Sequence, residues 1–256
     1  MEILEAPPAD LDVEDALDRL AQRYRSAGGV GMQVLSLVGG QAEGVLDRLP
    51  GPVRARLGEQ TEAALRIALK AAQRSRGVVQ DQPGWLNTAL TTAMGAAGGM
   101  GGLPTALAEL PVTTTVLLRV IQGIAAEYGF DPAEEGVAFD CLQVFAAAGP
   151  LDEDDGSDLA FVSVRLAVTG QAVQKLIKTV APRLAVVLGQ KLAAQTVPVL
   201  GAAAGAAMNY AYTSYYQEMA HVHFGLRRLA IDGDQDHEEL VGGLRERLRT
   251  PPLRMG

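Results

Sequence analysis

The chain predicts an all-α fold, a single helical domain of tightly packed Gly/Ala-rich helices, on three observations. Apolar residues fill 48% of the 256 positions and aromatic ones only 5%, with 29 glycines among the rest. Small side chains let helices approach closely, whereas a β-sandwich needs Val, Ile, Tyr and Phe in alternation. Apolar residues also recur at helical rather than alternating spacing in most segments. Finally, Gly and Pro punctuate the chain where such segments end. No linker divides it, so residues 10–249 are expected to form the domain, with flexible flanks at 1–9 and 250–256.

The first helix is expected from Asp10 to Ala27, where Leu11, Ala16, Leu17, Leu20 and Tyr24 share a face and acids precede arginines as the helix dipole prefers. Gly28-Gly29 should end it. A second, glycine-weakened helix over Gly31 to Leu49 would stop at Pro50-Gly51-Pro52. Val53 to Arg76 follows with an apolar stripe through Leu57, Ala64, Leu65, Ala68, Leu69 and Ala72. After a turn at Asp81 to Gly84, a helix from Trp85 to about Gly95 leads into a glycine-rich joint. Thr105 to Tyr128 is the next, with Pro111 either kinking it or marking its start after a Glu109-Leu110 lead-in. Asp131 as N-cap and Pro132 in first position predict another helix, closed by Gly149-Pro150.

Leu159 to Leu188 reads as helices interrupted by Pro182, since Phe161, Leu166, Val173, Ile177 and Val180 keep helical spacing. One long helix should run from Pro198 past Leu229. Asp232 to Asp236 is a turn, and His237 to Arg249 a final short helix.

Composition narrows the function. A net charge of -8 and a pI near 5.0 argue against nucleic acid as a partner. A single cysteine, Cys141, excludes an internal disulfide and a CxxC metal site, and its place beside Leu142 and Phe145 suits a buried thiol. Met1 to Asp10 has neither a basic nor an apolar leader region, so a cytoplasmic setting is expected, with peripheral contact at the inner membrane. Gly29-Val30-Gly31 lacks the third glycine of a dinucleotide loop. Asp232, Asp234 and Asp236 imitate a calcium loop, but His237 stands where that loop needs glycine.

Two stretches carry no charge: Gln82 to Ala108, and Leu192 to Gln217. Both are long enough to cross a bilayer, yet Thr, Asn, Gln, Gly and Pro interrupt them. A buried soluble helix pair and a membrane-inserting hairpin therefore both stay open. Within them, Gly95, Gly98, Gly99, Gly102, Gly201 and Gly205 form small-xxx-small pairs that would let two backbones pack closely. Tyr210, Tyr212, Tyr215 and Tyr216 suit a water–apolar boundary or a core with hydroxyls at its edge. The helix over Val53 to Arg76 is the most basic element. Arg66, Lys70, Arg74 and Arg76, with Tyr210 and Tyr212, are thus candidates for a membrane or partner surface, or for a plain solvated face.

One constellation could bind metal. Glu218 and His221 stand at i, i+3 on one helix face, and Glu109 and Glu127 could supply further carboxylates from a neighbouring helix. A divalent metal is the one cofactor these residues suggest, and ordinary hydrogen-bonded side chains are the alternative. Glu109, the lone charge between Gln82 and Arg119, could instead lead into a helix or handle a proton.

Two segments together resemble the bacterial EcsC family. One runs from Thr92-Ala93-Met94-Gly95-Ala96-Ala97-Gly98-Gly99-Met100-Gly101-Gly102-Leu103-Pro104 through Ala108-Glu109-Leu110-Pro111 to Glu127-Tyr128-Gly129-Phe130-Asp131. The other spans Pro198-Val199-Leu200-Gly201, Gly205, Asn209-Tyr210, Ala220 and Phe224 to Leu229. The resemblance implies a helical protein near membrane and transporter functions, with no established enzyme activity and no catalytic residues to carry over. Leu110 to Ala148 is also similar to tellurite-resistance TerB-like domains, which use clustered acids for metal.

The expected function is therefore non-enzymatic: a helical protein on the cytoplasmic face of a membrane, or on a membrane or transporter complex. The alternatives are a soluble metal-binding or hydrolytic protein built on Glu109, Glu127, Glu218 and His221, and a self-assembling structural or cargo protein with a second copy of the chain as partner.

Overall fold

A computed structural model describes residues 12–38, 49–75, 92–93, 102–147, 159, 162, 170–194 and 201–249. Among them every regular element is helical, and the fold is an all-α single domain.

Helix α1 spans Val13–Val38. Asp12 caps it, its Oδ1 accepting from the backbone N–H of Glu14 at 3.0 Å and of Asp15 at 3.1 Å. Leu17, Leu20, Ala21, Tyr24 and Ala27 form the buried row. The expected stop at Gly28-Gly29 does not occur, and α1 continues through both glycines and Gly31. An interior glycine costs about 1 kcal/mol against alanine, which packing along a long helix can outweigh.

Helix α2, Gly51–Ser75, starts where Pro50 offers its carbonyl to the N–H groups of Val53 and Arg54. Pro52, in the first turn, lacks only a donor that would be unpaired there anyway. Leu57, Thr61, Ala64, Leu65 and Ala68 are buried, and the Thr61 hydroxyl donates to the Leu57 carbonyl at 2.8 Å.

Helix α3 is Gly102–Glu127. It begins before Pro111 and passes through it, so neither Pro111 nor Glu109-Leu110 marks a helix start. The Pro111 carbonyl accepts from the Thr115 hydroxyl at 2.7 Å. The helix ends in a Schellman motif: Phe130 N–H bonds Ala125 O at 3.0 Å and Gly129 N–H bonds Ala126 O at 2.9 Å. That closure needs a left-handed residue, and Gly129 supplies it with φ 80.

Helix α4, Glu135–Gln143, starts later than Asp131 and Pro132 predict. Asp131 instead folds a turn, accepting from Ala133 N–H on its carboxylate at 2.9 Å and from Glu134 N–H on its carbonyl at 3.0 Å. A 3-10 turn over Val144–Ala146 extends α4. Helix α5, Gly170–Ala194, runs through Pro182 rather than breaking there. Helix α6, Gly201–Asp232, closes in a second Schellman motif with Asp234 at φ 48, and α7, His237–Arg249, follows as expected. Asp236 caps α7 through Glu238 N–H at 2.8 Å and Glu239 N–H at 3.1 Å.

The helices form a row α1, α6, α3, α2, with α5 against α2 and α6, and α4 set between α3 and α5. Helix α7 folds back onto α1 and α6. Tyr216, Phe145, Phe224, Leu118, Ile121 and Leu142 are among the largest fully buried side chains, with the Phe145 and Tyr216 rings edge-on at 5.1 Å.

The glycines expected to pack helices are placed only in part. Gly95, Gly98 and Gly99 lie outside the described residues, as do Gly149-Pro150, residues 39–48 of the expected helix Gly31 to Leu49, and all but Thr92 and Ala93 of the expected helix from Trp85 to Gly95. Gly102, Gly201 and Gly205 are helical. A close approach is seen elsewhere. A Cβ on Gly225 of α6 would lie 2.7 Å from Leu20 Cδ2 of α1, and one on Gly243 of α7 would lie 3.2 Å from Leu17 Cδ1.

Candidate functional site

Polar side chains gather on two sides of α6, in register with its i, i+3 and i+4 rows. The first group faces α1 and the end of α3. Helices α1 and α6 run antiparallel, since Leu20 meets Gly225 while Arg23 meets Glu218. The Arg23 guanidinium donates to Glu218 Oε2 at 2.8 Å in a half-buried ion pair. One turn on, the His221 ring stands edge-on to Tyr128 with centroids 5.8 Å apart. Tyr128 sits where the Schellman turn brings it under α6.

Electrostatics define what these rings can do. Burial, with the Arg23 charge adding to it, pushes the His221 imidazole down to about 4. Its Nδ1 is buried without a hydrogen-bond partner. Burial raises the Tyr128 phenol, Arg23 opposes the rise, and Glu127 and Glu218 add to it. Neither ring therefore changes protonation near neutral pH, which is where a general acid or base needs to do so. The group ties α1, α3 and α6 together; it is poorly tuned for proton transfer.

The second group faces α4. Asp140 pairs with Arg227, whose guanidinium carbon lies 4.2 Å from the centre of the Phe130 ring. His223, 5% exposed, brings Nε2 within 3.9 Å of the same carboxylate. At the chain's two ends, Arg247 of α7 reaches Glu14 and Asp18 of α1, the latter at 2.6 Å.

The sequence-predicted metal residues separate. Glu218 is occupied by Arg23, Glu127 lies exposed at the end of α3, and Glu109 falls inside α3 with its side chain outside the described residues. Among the described residues no group of three or more His, Cys, Asp and Glu is placed to hold a metal ion. The TerB-like acid cluster has no counterpart among them either.

The surface candidates divide too. Tyr212 is corrected: at 2% exposure it belongs to the core, because it lies on the inward side of α6. Tyr210 is exposed at 45%. Arg66 pairs with Glu62 at 2.6 Å and also donates to Gln174 of α5, so it joins helices rather than projecting freely. Lys70 is exposed, and the side chains of Arg74 and Arg76 lie outside the described residues. No helix among the described residues is long and apolar enough to cross a membrane.

Sequence reasoning found the Glu218–His221 spacing but missed Arg23, Tyr128, Asp140 and Arg227. A single helix displays its own i, i+3 pairs. The partners come from helices far away in the chain, and no local signal names them.

The EcsC protein family matches residues 60–229, from within α2 to near the end of α6. No curated protein and no solved structure matches the chain. Helices α1 and α7, which join through Arg247, lie outside the matched span. The match covers well over half the sequence, and the chain belongs to the EcsC protein family.

Proposed function

We propose that this is a non-enzymatic helical protein that works peripherally at the cytoplasmic face of a membrane, on its lipid or on a membrane or transporter complex. The exposed face of α2 carries this reading. Ile67 stands 53% exposed there with Arg56 and Lys70 on the same side, on a helix with five basic and two acidic residues. An aliphatic side chain between cations fits an interface that is apolar beneath and anionic above. In a protein of net charge -8, this helix runs against the overall charge. The resemblance to proteins near transporter functions agrees with it, and the neutral His221 ring argues against acid–base chemistry in the polar group beside it.

Cell fractionation tests the reading. The full chain should sediment with membranes at low ionic strength and be released by a high-salt wash, as a screened surface contact requires. Recovery entirely in the soluble fraction at low salt would sink it.

A further inference from the structure

Basic and acidic residues are unevenly distributed along this chain. Between Glu62 and Asp81 stand Arg66, Lys70, Arg74 and Arg76 without a single acid. From Leu159 to Gln217 there is again no Asp or Glu, while Arg165, Lys175, Lys178, Arg183 and Lys191 all occur. The fold brings these two stretches together, because α2 and α5 pack side by side and Arg66 of one donates to Gln174 of the other.

Each helix buries its apolar row and turns a mixed face outward. On α2, Ala63, Ile67 and Lys70 follow at i+4 and i+3, away from buried Ala64 and Ala68. On α5, Lys175, Lys178, Pro182 and Val186 are exposed, away from buried Ile177, Leu184 and Leu188. Val186 is 40% exposed. Two of the largest exposed aliphatic side chains on the described surface thus stand among lysines that have no carboxylate in ion-pair range among the described residues.

We propose that this α2–α5 face docks on an anionic lipid surface. The proposal rests on the membrane reading above and names the lipid, rather than a membrane protein, as the partner. Charge complementarity carries it: along α2 and α5 basic residues outnumber the two acids, Glu59 and Glu62, so an anionic headgroup layer would attract this part of an acidic molecule. Two arginines beside the face are committed, Arg66 to Glu62 and Gln174, and Arg183 to the Ala146 carbonyl at 2.9 Å. The lysines left over are point charges on long stems, which can follow a fluid headgroup layer without fixed geometry while Ile67 and Val186 press toward the acyl boundary. Nucleic acid fits less well: neither helix contains an aromatic residue on which a base could stack.

The test is flotation of the full chain with vesicles of phosphatidylcholine alone or with added phosphatidylserine. Wild type should bind only the anionic vesicles. The triple variant Lys70→Gln, Lys175→Gln, Lys178→Gln should bind them on the order of a hundred-fold more weakly, from about five-fold per charge. A control with equal charge loss elsewhere, Arg19→Gln, Arg245→Gln, Arg249→Gln, should bind within a few-fold of wild type, and matched thermal unfolding checks that both variants are folded. Equal weakening in both triples overturns the assignment of this face and leaves the membrane reading in place. Equal binding to both vesicle types overturns the electrostatic basis. Wild type that ignores pure lipid but binds native membranes, and stops after protease treatment of those membranes, has a protein partner, and the lipid proposal falls. Failure to bind any membrane ends both readings.

Discussion

Leu20 of α1 occupies the space that a side chain at position 225 of α6 would need: a Cβ on Gly225 would lie 2.7 Å from its Cδ2 and 3.4 Å from the Tyr128 hydroxyl. The most extensive helix pair of the fold therefore closes over a residue without a side chain.

Gly225→Ala should then destabilise the protein by about 1–2 kcal/mol, with overpacking exceeding the gain in helix propensity. Adding Leu20→Ala should relieve the clash, so the double variant loses less than the two singles combined. Gly58, on the exposed side of α2, has nothing within 4 Å of a built Cβ. Gly58→Ala should stabilise by about 0.5–1 kcal/mol. Urea midpoints measure all four, and a stabilised Gly225→Ala would show that the helices do not meet as closely as described.

His221 should give stability a dependence on pH. Its folded value of about 4 lies below the ordinary 6.5, so as pH falls the unfolded chain takes up this proton first. The stability concerned is complete above pH 6.5 and lost progressively as pH falls to 4. It should amount to on the order of 2 kcal/mol after solvent screening at the partly open ring. His221→Phe should flatten this part of the stability curve, seen as a smaller drop in urea midpoint between neutral pH and pH 4. An unchanged slope would mean that the ring is not desolvated.

Asp140 holds α4 to α6 through Arg227, both side chains being mostly buried. Asp140→Ala leaves the guanidinium without its partner and should cost about 3 kcal/mol. Arg227→Met keeps apolar contact with Phe130 and leaves Asp140 facing His223. Its cost, read from urea midpoints, should be smaller than that of Asp140→Ala, because no buried guanidinium is left unpaired. Equal costs for the two variants would mean that the Arg227 charge does not need its partner in α4.

The final turn and helix were the part most readable from the sequence. Asp232 to Asp236 and the helix His237 to Arg249 were legible because capping is local: Asp236 needs only the N–H groups two and three residues on. Local signals misled where distant packing outweighed them. Gly28-Gly29, Pro111 and Pro182 are breakers by propensity, yet each lies inside a helix more than twenty residues long. Asp131-Pro132 offered a good helix start, but Asp131 used its oxygens for a turn instead. In the polar groups, the Glu218–His221 spacing could be read along one helix. Arg23 and Asp140 could not, since what places them is the docking of α1 and α4 on α6. The glycine that mattered was hidden in the same way: Gly225 belongs to no small-residue repeat and shows its role only opposite Leu20.

The antiparallel seating of α1 on α6 also dictates an order of events during synthesis. Leu17, Leu20, Ala21 and Tyr24 leave the ribosome well before the helix that covers them. With roughly 200 residues between Leu20 and Gly225, at about 5–20 residues per second, the apolar row of α1 waits some 10–40 s for its partner. During that interval it is a sticky amphipathic segment on an unfinished chain, open to chaperones or to a neighbouring nascent copy. Arg247 arrives later still, so the link from α7 to Glu14 and Asp18 can form only after α6 has been made.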